Sequence, residues 1–134
     1  MLLIKLLRTS LSDYVDVKTV ALDFDGVICA SAPGDDDIAG RGPIPGALES
    51  LRFLLSRYAV FVLTARDVKE VIPWLNSYGF ATDSDNGGPT WTLRDQLLVT
   101  NRKIPADIYL DDKAIRFWNW EQSMDQIERF SGGV

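Results

Sequence analysis

Acidic side chains follow two of the apolar, strand-like runs in this chain of 134 residues. Asp23 and Asp25 end one run, and Asp111 and Asp112 directly follow another. Carboxylates placed close together repel one another, so we expect a divalent cation to neutralise them. Oxygen ligands favour Mg²⁺, and the chain has no histidine and a single cysteine, Cys29. The sequence therefore predicts a Mg²⁺ site among these four carboxylates.

The same groups suit phosphoryl transfer. A carboxylate beside a bound cation can attack phosphorus, and a neighbouring carboxyl group can protonate the leaving oxygen and later activate water. Thr64 offers a hydroxyl group and Lys103 a positive charge to the phosphoryl oxygens, and Arg66 follows Thr64 closely enough to reach a substrate phosphate. None of these roles needs an imidazole, and the lack of histidine excludes Ser-His-Asp and Cys-His catalysis.

The composition of the chain limits its domain number, its partners and its compartment. A chain of this length with 46% hydrophobic residues suits a single domain with one sizeable core. Nineteen acidic and fourteen basic residues give a net charge of −5, so no duplex nucleic acid partner is expected. One cysteine excludes an intrachain disulfide and fits a reducing, cytoplasmic compartment. Composition leaves open whether the chain forms a homo-oligomer.

Residues 1–17 are interpreted as an N-terminal extension. The apolar run from Met1 to Leu7 is interrupted by Lys5 and is too short to span a bilayer. It also lacks the longer apolar core and the cleavage site of a signal peptide. We therefore expect no membrane span, and a peripheral membrane role for this run is the weaker alternative.

Hydrophobic periodicity predicts alternating strands and helices. Four apolar runs are typical of short strands, at 19–24, 60–63, 97–99 and 108–110, although the third also fits a helix. Residues 45–57 should form an amphipathic helix with Pro45 in its first turn. Asp67 and Glu70 resemble a capping box that opens a second helix, which Gly79 closes.

The remaining segments are loops and a terminal helix. Pro73 should kink the second helix or mark its true start. Segment 29–46 is typical of a long loop or small hairpin, and 83–90 of an exposed loop. Residues 119–130 should form a C-terminal helix with a buried stripe of Trp120, Met124 and Ile127. The pattern predicts a single α/β, Rossmann-like domain whose parallel sheet has helices on both faces.

Three predicted strands end in reactive residues. Asp23 and Asp25 end the first strand, and Thr64 follows the second. The pair Asp111-Asp112 follows the last strand. Ligands of parallel α/β sheets bind beyond the carboxyl ends of the strands. The fold should therefore bring these residues together, although they are far apart in the sequence.

In their order and strand context, these motifs resemble those of the haloacid dehalogenase superfamily. The resemblance spans residues 19–116 and rests on Asp23-Phe24-Asp25-Gly26-Val27 after one strand, Thr64 after the next, Lys103, and Asp111-Asp112 after Ile-Tyr-Leu. The stretch from Asn101 to Asp112 is especially similar to small phosphatases of that superfamily.

The resemblance implies a role for each residue. Asp23 would be the nucleophile that forms an aspartyl-phosphate and would also bind Mg²⁺. Asp25 would be the general acid and base, with its backbone carbonyl as a further metal ligand. Asp112 would bind the metal, while Asp111 would either bind it or orient Lys103. The substrate phosphate would contact Gly26, Thr64, Ala65, Arg66 and Lys103.

The resemblance also implies a reaction and an open site. The second aspartate, Asp25, favours a phosphatase or phosphotransferase over a dehalogenase. Only 38 residues separate Asp25 from Thr64, so we expect no cap domain and a site that admits large substrates. The predicted function is a Mg²⁺-dependent hydrolase of a phosphorylated substrate, acting through an aspartyl-phosphate.

Simpler interpretations stay open. The aspartates can be turn formers at strand ends, Thr64 can cap the following helix, and Arg102 is the rival cation to Lys103. At the level of function, the alternative is a non-catalytic module that binds phosphate or Mg²⁺ and regulates a partner. A phospho-accepting receiver domain would need its motifs in a different order.

Overall fold

The computed structural model describes residues 18–132. Its strands are β1 (Thr19–Asp23), β2 (Ala59–Leu63), β3 (Thr82–Ser84), β4 (Leu97–Thr100) and β5 (Ile108–Leu110). Its helices are α1 (Ala47–Leu55), α2 (Val68–Ser77) and α3 (Trp120–Gly132). The strands form one sheet in the order β3-β4-β2-β1-β5, and every pair is parallel. The predicted α/β class with one parallel sheet is confirmed.

The predicted N-terminal extension, residues 1–17, lies outside the described residues, and so does the proposed peripheral membrane segment within it. A helix of the length and apolar character needed to cross a membrane is not found in residues 18–132.

One face of the sheet packs against α1 and α2. Side chains alternate along a strand, so every second residue of β1, β2 and β4 enters the same apolar cluster. The helices contribute Leu51 and Leu55 from α1, and Val71, Trp74 and Leu75 from α2. Both helices lie on this face because the right-handed crossovers that contain them lead in the same direction across the sheet.

The other face is covered by connecting segments. Its buried cluster consists of Ala21, Phe61, Leu98 and Ile104. Trp91 and Ala106 pack against this cluster. Only residues 101–107 join β4 to β5, and this connection is too short to contain a crossover helix. Within residues 18–132, α1 and α2 therefore share one face and loops cover the other, whereas the sequence predicted helices on both faces.

The first helix begins later than predicted. α1 starts at Ala47 after Gly46, so Pro45 precedes the helix and does not occupy its first turn. The predicted long loop or hairpin before it contains a single antiparallel bridge, between Cys29 and Pro43. Segment 29–46 is therefore a loop closed by one hairpin-like bridge.

The second helix begins and ends as predicted. The Oδ1 of Asp67 accepts a hydrogen bond from the N–H of Lys69 at 3.0 Å and caps α2. α2 runs through Pro73, so this proline marks no helix start. Gly79 follows the C-terminal turn with a φ of +91°, which allows the chain to leave the helix.

Two other predictions need correction. The predicted loop at 83–90 begins inside β3, an edge strand with a polar sequence and therefore no apolar run to reveal it. The predicted buried stripe of α3 is wrong, because Trp120 is 70% exposed and Met124 and Ile127 are each 46% exposed. Periodicity identifies a helix, but its apolar stripe is buried only where another element packs on it. Among the described strands and helices, none packs extensively against α3.

Candidate active site

The strand register brings Asp23 and Asp111 to the same edge of the sheet. Leu22 of β1 pairs with Leu110 of β5, so the residues that follow each, Asp23 and Asp111, are neighbours there. β2 lies on the other side of β1 and ends at the same level, where Thr64 follows it. The predicted convergence of three strand ends is therefore present.

Asp23, Asp111 and Asp112 form an acidic cluster. One carboxylate oxygen from each residue lies within 4.8 Å of the others. The Oδ1 of Asp23 accepts a hydrogen bond from the N–H of Phe24 at 2.9 Å, and the Oδ1 of Asp111 accepts one from the N–H of Lys113 at 2.7 Å. These bonds orient the two carboxylates. An all-oxygen set at this spacing fits a hard divalent cation such as Mg²⁺.

Gly26 lets Asp112 approach the end of β1. Its φ is +79°, a left-handed conformation that other residues rarely adopt. A Cβ at this position would overlap the Oδ2 of Asp112. The Asp112 carboxylate therefore lies against bare backbone, which is a steric reason for glycine here.

Burial raises the pKa of Asp23 above its ordinary value of 3.8. The hydrogen bond from the Phe24 N–H opposes this rise, while repulsion from Asp111, Asp112 and Asp25 adds to it. A cation at the acidic cluster would favour the ionised form of Asp23, because it would offset both the desolvation and the repulsion.

Asp25 is held apart from the acidic cluster. The Nε of Arg66 donates to its Oδ1 at 2.8 Å and to its Oδ2 at 3.1 Å, and the Oγ of Ser31 donates to Oδ1 at 2.7 Å. The side chains of Asp25 and Arg66 are 7% and 8% exposed. The four carboxylates expected at one ion therefore divide into a cluster of three and a separate, ion-paired Asp25.

Thr64 is buried at the end of β2. Its N–H donates to the carbonyl of Thr100 at 3.0 Å, and its Oγ1 accepts from the N–H of Arg66 at 3.0 Å. Asp67 caps α2, so the interpretation of Thr64 as the helix cap is wrong. Among the described residues none accepts the hydroxyl proton of Thr64, so this hydroxyl can still donate one hydrogen bond.

Asn101 is a residue of this edge to which the sequence analysis gave no role. Its Nδ2 donates to the carbonyl oxygens of Thr64 at 2.7 Å and of Arg66 at 2.8 Å. Asn101 follows β4 directly and so fixes the segment after β2 from the neighbouring strand. The signal in the sequence was an amide side chain at the carboxyl end of a strand.

Lys103 and Arg102 have different surroundings. The Nζ of Lys103 lies 5.0 Å from the ring centre of Tyr109, and no ion pair joins it to Asp111 within residues 18–132. Arg102 is paired with Asp85, with 2.8 Å between Nη2 and Oδ1. Arg102 is thus committed to a structural contact, and Lys103 keeps its charge available near β5.

A cavity of about 310 Å³ opens beside Asp25. Its lining consists of Asp25, Pro33, Gly34, Asp35, Asp36, Ala65, Arg66 and Glu70. Ala65 is exposed there, next to the buried Thr64. Two larger grooves, of about 460 and 510 Å³, lie along α2 and along β5, and neither is lined by a residue of the acidic cluster.

Comparison with known proteins gives little beyond the fold. No protein-family model matches the chain, and no curated protein matches it. A solved structure of a conserved protein from Bacteroides thetaiotaomicron is similar, with a TM-score of 0.50 and 22% sequence identity. The similarity covers 89% of this chain and 93% of that one. It supports the shared fold and carries no information on activity.

Proposed function

We propose that this protein is a Mg²⁺-dependent phosphomonoester hydrolase that works through an aspartyl-phosphate on Asp23. The observation that carries the proposal is the acidic cluster at the ends of adjacent strands, with Asp25 held separately beside it. The cluster would hold Mg²⁺, which when bound would neutralise the carboxylates and the phosphoryl oxygens. The motif resemblance to the haloacid dehalogenase superfamily supports the same function.

The reaction divides into two displacements at phosphorus. A carboxylate oxygen of Asp23 forms a bond to phosphorus while the bond from phosphorus to the leaving oxygen breaks. That oxygen takes a proton from the carboxyl group of Asp25. Asp25, now a carboxylate, then removes a proton from water, and the water oxygen attacks the aspartyl-phosphate. Inorganic phosphate leaves and the Asp23 carboxylate is restored.

Thr64 and Lys103 are proposed to bind the phosphoryl oxygens. Hydrogen bonds with Thr100 and Asn101 hold the backbone of Thr64 in place. The Thr64 hydroxyl can therefore donate a preorganised hydrogen bond. The Lys103 ammonium would need to leave the Tyr109 ring to contact the phosphate. Lys103 is therefore expected to act on the bound substrate and not to shape the free site.

The substrate is proposed to be large or exposed. Between Asp25 and Thr64 the chain forms a loop, α1 and β2, and no inserted domain covers the sheet edge. An open edge would admit a phosphate group carried on a macromolecule. The single thiol, Cys29, is buried and unpaired, which agrees with a proposed cytoplasmic location.

The experiment is hydrolysis of an aryl phosphate with Mg²⁺ and with EDTA. Wild type should be active only with Mg²⁺, and Asp23→Asn should be inactive, while Asp83→Asn, away from the acidic cluster, should behave like wild type. Activity in EDTA or in Asp23→Asn would contradict the proposal. Stabilisation by Mg²⁺ without turnover of any phosphate ester would instead support a non-catalytic binding module.

A further inference from the structure

The Arg66 guanidinium is buried against Asp25 and is used almost entirely within the protein. Its Nε contacts both carboxylate oxygens of Asp25, and its Nη2 lies 2.8 Å from Oδ1. Such a forked contact fixes the plane of a carboxylate as well as its distance.

The other contacts of Arg66 join it to the loop after β1. Its Nη1 donates to the carbonyl oxygen of Asp35 at 2.6 Å, and its Nη2 donates to that of Ala32 at 2.8 Å. Glu70 adds a weaker contact, 3.7 Å from Nη1. Every guanidinium nitrogen thus has a partner in the protein. Among the described residues, only the second N–H of Nη1 has no partner within hydrogen-bond distance, and the Glu70 carboxylate would repel a phosphate there.

Ser31 completes the support of Asp25 from the same loop. Its Oγ donates to the Oδ1 of Asp25 at 2.7 Å, so the carboxylate is held from two sides. Asn101 in turn binds the Arg66 carbonyl and fixes the backbone from which the guanidinium extends. The Asp25 side chain has no freedom to turn without breaking several of these bonds.

We infer that Arg66 is a positioning residue that aims the Asp25 carboxyl group and fastens the segment 32–35 beside it. The catalytic consequence rests on the proposed function, in which Asp25 serves as acid and base. Arg66 acts through Asp25 and does not contact the substrate phosphate.

Kinetics of Arg66→Ala and Arg66→Lys test the inference. General acid-base catalysis contributes about 10²- to 10⁴-fold, so Arg66→Ala should lower kcat roughly 10- to 100-fold with little change in KM. Arg66→Lys keeps the charge but loses the fork and should recover only part of kcat. Added guanidinium chloride, at a concentration that does not unfold the protein, should raise the kcat of Arg66→Ala.

The matched control is Arg41→Ala. Arg41 contacts the same loop, with its Nη2 3.5 Å from the Oδ2 of Asp35, but it does not touch Asp25 and its side chain is 51% exposed. This variant should keep the wild-type kcat. In an Asp25→Asn background, Arg66→Ala should cause no further loss. A raised KM with an unchanged kcat in Arg66→Ala would overturn the inference. So would a loss of kcat in the Asp25→Asn background as large as the loss that Arg66→Ala causes in wild type.

Melting temperatures separate this inference from the proposed function. If Arg66 holds Asp25, the losses in melting temperature caused by Arg66→Ala and Asp25→Ala should not add, and the double variant should melt close to the single ones. This coupling is measurable without any turnover. Inactive wild type with coupled melting losses would refute the phosphatase alone, whereas additive losses would refute the Arg66 inference. Circular dichroism confirms that each variant folds.

Discussion

The backbone of Gly26 lies directly against the carboxylate of Asp112, so that a Cβ on residue 26 would overlap the Oδ2 of Asp112. The two residues lie 86 positions apart in the sequence, and the pairing of β1 with β5 brings them together. The contact shapes the acidic cluster by steric fit. It also permits a direct test.

Gly26→Ala should displace Asp112 and weaken Mg²⁺ binding. Changes next to metal ligands typically reduce affinity on the order of 10- to 100-fold, and we expect a loss of this size. The measurement is the Mg²⁺ dependence of the melting temperature. Gly34→Ala is the control, because Gly34 also has a positive φ, +90°, but nothing lies within 4 Å of a Cβ there. If both variants lost the Mg²⁺-dependent increase in melting temperature equally, backbone strain and not the Asp112 contact would explain the weaker Mg²⁺ binding.

Asp23→Asn should raise the melting temperature in EDTA at pH 7. Burial raises the pKa of Asp23 in the folded protein above 3.8, so the folded state binds this proton more tightly than the unfolded state. The resulting stabilisation is present below pH 3.8 and is lost as the pH rises through the folded-state pKa. Asparagine avoids the cost of a buried charge and still accepts the Phe24 hydrogen bond.

The stabilisation by Asp23→Asn should shrink as the pH is lowered towards 3.8. Thermal melts across this range measure it, and Asp83→Asn is the control for the loss of a carboxylate elsewhere. A lower melting temperature for Asp23→Asn than for wild type at pH 7 would contradict the burial argument.

Asp112→Asn and Asp111→Asn should affect Mg²⁺ binding differently. One oxygen of Asp111 accepts the Lys113 hydrogen bond, whereas Asp112 accepts no hydrogen bond from residues 18–132. Asp112→Asn should therefore abolish the increase in melting temperature with Mg²⁺, and Asp111→Asn should reduce it. The reverse order would make Asp111 the main ligand.

Asp85→Asn should lower the melting temperature at pH 7. Hydrogen bonds from Arg102, then from Thr100 and the Gly87 N–H, hold the pKa of Asp85 well below its usual range. The stabilisation is present above the unfolded value of 3.8 and is lost as the pH falls through the folded-state pKa, so the difference from wild type should diminish in acid.

The control for Asp85 is a second ion-paired aspartate. Asp125 pairs with Arg129 on α3 at 2.9 Å, but both side chains are more than half exposed. Exposed pairs contribute little, so Asp125→Asn should change the melting temperature only slightly. If Asp125→Asn lowered the melting temperature as much as Asp85→Asn, the Asp85 contacts would stabilise the protein no more than an ordinary surface ion pair does.

The local pattern of the chain determined much of the fold. The apolar runs at β1, β2 and β4 were identifiable because buried parallel strands are continuously hydrophobic, and β5 has the same apolar pattern although its three residues are exposed. Asp67 and Gly79 marked the ends of α2 because capping chemistry is local. β3 was missed because its sequence, Thr-Asp-Ser, is polar, and it is a strand only through pairing with β4.

The orientation of side chains depended on contacts between distant segments. The α3 stripe was predicted as buried from its period, yet burial requires a partner that periodicity does not reveal. In the same way, their position at the carboxyl ends of parallel strands predicted that Asp23, Asp25 and Asp111 converge, but not that Asp25 turns to Arg66. The steric fit of Gly26 to Asp112 was likewise invisible, because it joins the turn after β1 to the residues after β5.

The sequence by itself determined which residue types stand at the carboxyl ends of the strands, because the hydrophobic period and the turn residues that place them are local properties. Only the tertiary structure decided that three carboxylates share one cluster while the fourth is held by an arginine. The reason is that hydrogen bonds and close packing between segments dozens of residues apart depend on strand register and loop path, which leave no periodic signal in the chain.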